Sequence, residues 1–394
     1  MQAVLFKSPD QEWWWLGGMT LLERNLRLLE AVGVKTVLIL HPAGETLPPL
    51  AVPRPLQLDT HGGEVEVSLA DPLTVLPFLH LADSQPLFLL DANLLLDRRV
   101  LETLRCQSPP CFVAMGNGKD PSPLWRVGWL RPEDLPLGPA LLQQAGRVSL
   151  AAVPLYDAEL HGEAVPYCEK ICSEDDLEHG WHLLLDRVSQ RPRHVIEQLI
   201  NPPIENWLVQ QWCHTPITPN QVTLLTVAVA LVGASLFYQG WFVLAVLFAW
   251  IAMILDGVDG KLARVKLMTS RIGKLDPIFA LLYENAWYLA VAAQLSRTHH
   301  SSAWSIGLTI TAFVVCDALL RTMFTQLKEK PLDKMSDFDH YFHFINGQRS
   351  LYLLVLLAGF LFEVPFVALQ AVLYWAGATV LVHVGRAAYH LLRH

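Results

Sequence analysis

Residues 241–277, WFVLAVLFAWIAMILDGVDGKLARVKLMTSRIGKLDP, decide the reading of this chain. From Trp241 to Leu255 no residue is charged, and the apolar run to Leu262 is long enough to cross a bilayer, which takes roughly 20 residues. Its far end carries Asp256 and Asp259, followed by the basic cluster Lys261, Arg264, Lys266, Arg271 and Lys274. Carboxylates at the end of such a run are costly unless paired or metal-bound, which marks a functional site. Asp256 and Asp259 are three apart, so on one helix they face the same side and can share a hard divalent cation. Gly257, Gly260 and Ala263 remove bulk beside them and let a ligand or a neighbouring helix come close.

Working outward, five more apolar runs follow the same pattern: Gln221–Tyr238 before this one, then Pro277–Leu295, Ala303–Phe324, Leu351–Phe362 with its upstream flank, and Phe366–Leu392. Six spans are therefore expected over residues 220–394, an all-α membrane bundle. Basic residues gather in alternate loops, with Lys328, Lys330, Lys334 and Arg349 between the fourth and fifth runs and Arg386 and Arg393 near the end. This bias puts those loops, the N-terminal part and both termini on the cytoplasmic side of the cytoplasmic membrane. Residues 191–219 read as a connector helix along the membrane interface.

The first 190 residues differ in kind. QAVLF, a helical MTLLERNLRLLEAVG and then VKTVLIL form a βαβ opening, with further strands expected at PLFLL, CFVAM and VSLAAVPLY. A three-layer α/β domain with a largely parallel sheet, Rossmann-like in class, fits this alternation, with Asp91 ending one strand. Averaged over 394 residues the chain is 52% hydrophobic, 17% charged and −8 in net charge, which speaks against a general nucleic-acid binder. The six cysteines have no metal-site spacing and read as thiols in a reducing compartment, and no cleavable leader is read at the N-terminus.

The motif resembles the signature of the CDP-alcohol phosphatidyltransferase family, D-x-x-D-G-x-x-A-R, eight residues, G, three residues, D, three residues, D. Asp256, Asp259, Gly260, Ala263, Arg264 and Gly273 match it in identity and spacing, and TPITPNQVTLL at 215–225 is similar to the stretch that opens the family's first span. The resemblance covers residues 191–394. It implies transfer of a phospho-alcohol from a CDP-alcohol to an acceptor hydroxyl, lipid or phosphorylated polyol, with release of CMP. Mg²⁺ or Mn²⁺ would be held by Asp256, Asp259 and Asp276. Homodimerisation is also implied.

The sequence departs from that pattern after Gly273. Asp276 follows two residues later instead of three, and Pro277 and Leu281 hold the strict third and fourth Asp positions. Counted from Asp276, the fourth, the family's base, falls on Ala280. Pro277 favours Asp276 as the cap of the third span. Glu284, one turn beyond Ala280, is the candidate replacement base, beside Asp276 in the catalytic set. A buried polar residue paired with Asn285 or Tyr283 is the other reading. Lys261 and Arg264 are candidates for donor phosphates, with Gly260, Ala263 and Gly273 lining the site. Arg321 and Arg349 are candidates for an acceptor phosphate, and Asp317 is an equally good partner for Arg321.

GGMTLLERNLRLLEAVGVKTVLIL and FLLDANLLLDRRVLETL resemble sugar-phosphate nucleotidyltransferases, and the fusion is similar to bifunctional inositol-phosphate cytidylyltransferase and phosphatidyltransferase proteins. After the first strand, however, the chain reads KSPDQEWWWLGG, which lacks the glycines whose amides wrap a triphosphate. A catalytically degenerate N-terminal domain is expected. The alternatives are a membrane scaffold with degenerate sites in both domains, and a bifunctional enzyme whose first domain uses CTP. A transporter is disfavoured, because the carboxylates lie at a helix end and not at the midplane.

Overall fold

Short runs of Val, Leu and Phe separated by helices build a sheet in the N-terminal part. The computed structural model describes residues 1–7, 12–41, 45–50, 57–62, 85–114, 127–157, 162–163, 165–189, 195–268, 275–298, 301–328 and 330–392. Seven strands form the main sheet: β1 (Gln2–Phe6), β2 (Thr36–His41), β3 (Gln57–Gly62), β4 (Leu87–Asp91), β5 (Cys111–Ala114), β6 (Val127–Leu130) and β7 (Gly146–Ser149). Their spatial order is β7-β5-β6-β4-β1-β2-β3. Neighbours run parallel except β6, which is antiparallel to both β4 and β5. The expected parallel character holds over most of the sheet. β3 and β6 were not expected, since a buried run of four such as β6 shows no period to read. The strand expected at VSLAAVPLY stops at Ser149, where Leu150–Ala152 turns into a single 3-10 turn.

Helices α1 (Leu21–Ala31), α2 (Arg98–Arg105), α3 (Leu141–Gln144) and α4 (Glu174–Ser189) accompany the sheet. Thr20 starts α1 by accepting a hydrogen bond from the Glu23 amide, 3.1 Å, and Asp97 starts α2 by accepting from the Arg99 amide, 2.9 Å. Leu22, Leu26 and Leu29 of α1 are buried in one core with Ala3, Leu5, Val37 and Ile39. Phe6 pairs with Asp91 across β1 and β4, so Asp91 lies at the C-terminal edge of the sheet, as expected. None of the six cysteines forms a disulfide.

Contacts divide the chain into two compact units, one of Met1–Arg191 with Cys213–Thr215 and Arg264–Leu267, the other of Pro192–Trp212, Pro216–Ala263 and Met268–His394. The second is helical: α5 (Val195–Cys213), α6 (Pro219–Gln239), α7 (Phe242–Val265), α8 (Asp276–Arg297), α9 (Ala303–Lys328), α10 (Asp337–Ile345), α11 (Arg349–Leu361) and α12 (Pro365–Leu392). Thr218 and Gln221 form a reciprocal capping box at the start of α6, Pro219 occupies its first turn, and Gly240 ends it in the left-handed conformation, φ 86°.

Among the described residues, six helical segments are long and apolar enough to cross a membrane. The fifth runs from Asp337 to Leu361, longer upstream than its apolar core at 351–362, because α10 and α11 continue one another across a break at 346–348. Its upstream part, α10, carries Asp337 and Asp339 in its first turn, and Asp339 is buried against Arg386. α8 packs on α6 and α9, and α12 on α9 and α11. Trp287, Tyr288 and Tyr352 fill the centre, and the Trp287 indole donates to the Ala230 carbonyl, 2.9 Å. At Gly307 a Cβ would come within 2.4 Å of the Ala292 Cβ, so glycine sets the close approach of α8 and α9.

Candidate active site

The motif lies on the last turns of α7. Asp256 and Asp259 are about 60° apart around the helix and about 4.5 Å apart along it, which puts both carboxylates on one face. Each is held from a different helix. Arg349, the first residue of α11, donates through Nη2 to Asp256 Oδ2, 2.6 Å, and through Nη1 to the Tyr283 hydroxyl of α8, 2.8 Å. Thr223 of α6 donates through Oγ1 to Asp259 Oδ2, 2.6 Å. Asp259 is buried, whereas Asp256 is half-buried. Two helices thus hold the two carboxylates of a third, with α8 bracing Arg349 through Tyr283.

Lys261 has a different engagement from the phosphate contact expected of it. Its side chain is fully buried, and Nζ donates to Asn206 Oδ1, 2.5 Å, and pairs with Glu205 Oε2, 3.0 Å, both on α5. Arg264 is half-buried in the last turn of α7, and Gly260 and Ala263 lie beside the two carboxylates, also half-buried. Arg349, expected to face an acceptor phosphate, instead spends its fork on Asp256 and Tyr283. Arg321 pairs with Asp317 one turn earlier, 3.0 Å, the partner that spacing offers.

Gly273 and the side chain of Asp276 lie outside the described residues. The backbone makes Asp276 the first residue of α8 with Leu275 as its N-cap, which corrects the expectation that Asp276 caps the helix. Pro277 tolerates that first turn because its missing amide has no helical partner there. Glu284 is half-buried and accepts a hydrogen bond from the Tyr288 hydroxyl, 2.8 Å.

A divalent cation fits Asp256 and Asp259 by donor chemistry: both supply hard oxygens from one face, and magnesium completes its shell with water and phosphate oxygens. Among the described residues, no group of three acidic, histidine or cysteine side chains forms a metal site without such additions. In the N-terminal unit, Asp91 is buried with Lys170 Nζ 3.5 Å from its carboxylate, and Lys7 lies over the Trp13 ring, 4.8 Å.

A basic cavity of about 530 Å³ opens where α9 ends and α12 passes, lined by Lys328, Lys330, Met335, Ser336, Arg386, Tyr389 and His390. Arg386 and His390 both bond Asp339, at 2.6 and 2.7 Å, which fixes their positions on the cavity wall. Basic loops were legible in sequence, but Thr223, Glu205, Asn206, Tyr283 and this cavity were not. Only the TPN stretch ahead of Thr223 and the isolated charge of Glu205 in the connector hinted at them.

A protein described as "Bifunctional IPC transferase and DIPP synthase" from Rubrobacter xylanophilus is 44% identical over 59 residues, 15% of this chain. The aligned segment spans 14% of that relative's length. The family model for CDP-alcohol phosphatidyltransferase matches residues 216–383, which include α6 to α11 and most of α12. Residues 216–383 of this chain are therefore similar to the CDP-alcohol phosphatidyltransferase domain.

Proposed function

We propose that the chain is an integral membrane transferase that moves the phospho-alcohol of a CDP-alcohol onto an acceptor hydroxyl and releases CMP. The observation that carries this reading is the Asp256–Asp259 face of α7, with one carboxylate fixed by Arg349 and the other by Thr223. Asp256 and Asp259, joined in this reading by Asp276, would hold Mg²⁺ or Mn²⁺, which when bound would supply charge neutralisation for the donor diphosphate. Arg264, one turn beyond Gly260 on the same helix, contacts donor phosphate in this reading, and the small Gly260 and Ala263 leave room for the nucleotide. Glu284 takes the proton of the acceptor hydroxyl, since Ala280 stands where the family pattern has its last carboxylate. Its bond from Tyr288 holds the carboxylate in place.

The acceptor hydroxyl oxygen forms the new bond to the alcohol-bearing phosphorus. The bond from that phosphorus to the CMP oxygen breaks, and its electron pair leaves with CMP. An acceptor that carries its own phosphate finds Lys328, Lys330 and Arg386 together in the basic cavity, where charge-assisted hydrogen bonds favour phosphate oxygens. The α/β unit carries no catalysis in this reading, because the segment after β1 lacks phosphate-wrapping glycines and the Asp91 carboxylate already faces Lys170.

The test is product mass. Purified protein in lipid, given a panel of CDP-alcohols with phosphorylated and unphosphorylated acceptors, is expected to form the acceptor–phosphate–alcohol diester. CDP-alcohol hydrolysis alone, or no product with any pair, would overturn the reading.

A further inference from the structure

The buried face of α5 carries a carboxylate where an amphipathic helix would ordinarily carry an apolar residue. Asn201, Glu205 and Val209, one turn apart, are all buried, whereas Ile200, Ile204 and Trp207 are exposed on the other side. Glu205 is 1% exposed and its partner Lys261 fully buried, a pairing that costs both ions their hydration and is retained only where geometry rewards it. The Glu205 carboxylate also rests on the backbone of α7. A Cβ at Gly257 would lie 2.2 Å from Oε1 and 2.4 Å from Cδ, so only glycine admits it there. Gly257 stands between Asp256 and Asp259 in sequence, and Lys261 is two residues beyond Asp259.

We infer that Glu205 and Asn206 are positioning residues for the donor site, acting through Lys261 and Gly257 to fix the rotation of α7. This rests on the reading of Asp256 and Asp259 as cation ligands. Around the helix, Asp259 lies about 60° to one side of Asp256 and Lys261 about 140° to the other, so the α5 contact opposes those made by Thr223 and Arg349. The lever is short and sensitive. A rotation of about 20° moves a side-chain tip roughly 5–6 Å from the axis by about 2 Å. Ligand distances in metal sites hold within about 0.2 Å. Without the third contact, α7 can turn and carry both carboxylates out of register with Thr223 and Arg349, the partners that hold them for the cation.

Mn²⁺ binding to the full chain in lipid nanodiscs, read by electron paramagnetic resonance of the free ion, tests this without turnover. Thermal unfolding of each variant is measured in parallel. Glu205→Ala and Gly257→Ala are expected to weaken Mn²⁺ binding about 10- to 100-fold, the usual effect of losing an outer partner of a metal site. The double variant should be no weaker than either single one, because both remove one contact. Glu205→Gln, which keeps an oxygen for Lys261 at the same volume, should recover most of the affinity. If Glu205→Ala does not fold, Gly257→Ala reads the same displacement with both charges still present. Mn²⁺ affinity within two-fold of wild type in a folded Gly257→Ala protein would overturn the positioning role, even if its unfolding temperature fell. A wild-type protein that binds no Mn²⁺ would overturn the cation reading and the positioning role with it.

Discussion

Arg349 divides its guanidinium between Asp256 and Tyr283, one terminal nitrogen to each at 2.6 and 2.8 Å, a spacing set by the planar fork. Lysine at this position would keep the charge and lose one of the two bonds. Arg349→Ala is expected to lower the rate of CMP release about 10- to 100-fold at saturating donor, and Arg349→Lys to recover only part of it. Steady-state CMP assays of the two variants would check this, and an unchanged rate in both would remove Arg349 from the site. The role was not legible beforehand. In sequence, Arg349 lies 93 residues from Asp256 behind a polar loop, and a basic residue near a membrane helix start has many uses. The Asp256–Asp259 pair, by contrast, was legible, because three-residue spacing fixes a shared helix face whatever packs around it. Lys261 shows the limit of that logic: its place in the motif suggested phosphate, and a partner from the connector helix, invisible to spacing, took its amino group.

Between α9 and α12, Asp317 Oδ1 meets His383 Nδ1 at 2.5 Å and Oδ2 meets Arg321 at 3.0 Å, in a region where Asp317 and His383 are both buried. Removing the carboxylate would leave polar partners in an apolar bundle. Asp317→Ala is expected to destabilise the protein by about 3–5 kcal/mol, and a paired apolar replacement, Asp317→Leu with His383→Leu, to return much of that loss. Unfolding in detergent would measure both, and a single variant as stable as wild type would contradict the account of this pair. The helices themselves were readable from apolar length alone. The fifth was only partly so: polar side chains of α10, including Asp339, are satisfied by Arg386 and His390 of α12, a compensation that a single-segment hydropathy reading cannot include.

Across the whole chain, an α/β unit and a helical unit with six candidate spans among the described residues share one polypeptide, and the proposed chemistry belongs to the second. The α/β class was legible because strand and helix periods alternate in the first 150 residues. The antiparallel β6 was not, since strand direction depends on which neighbours a four-residue run meets. The central claim is that the α7 carboxylates drive CDP-alcohol transfer, and CMP release by the full chain with Mg²⁺, donor and acceptor, set beside Asp259→Asn, tests it most directly. The account predicts acceptor-dependent CMP release by wild type and a fall of at least about 100-fold in the variant, more than the loss of an outer partner costs. CMP release by Asp259→Asn within two-fold of wild type would contradict it.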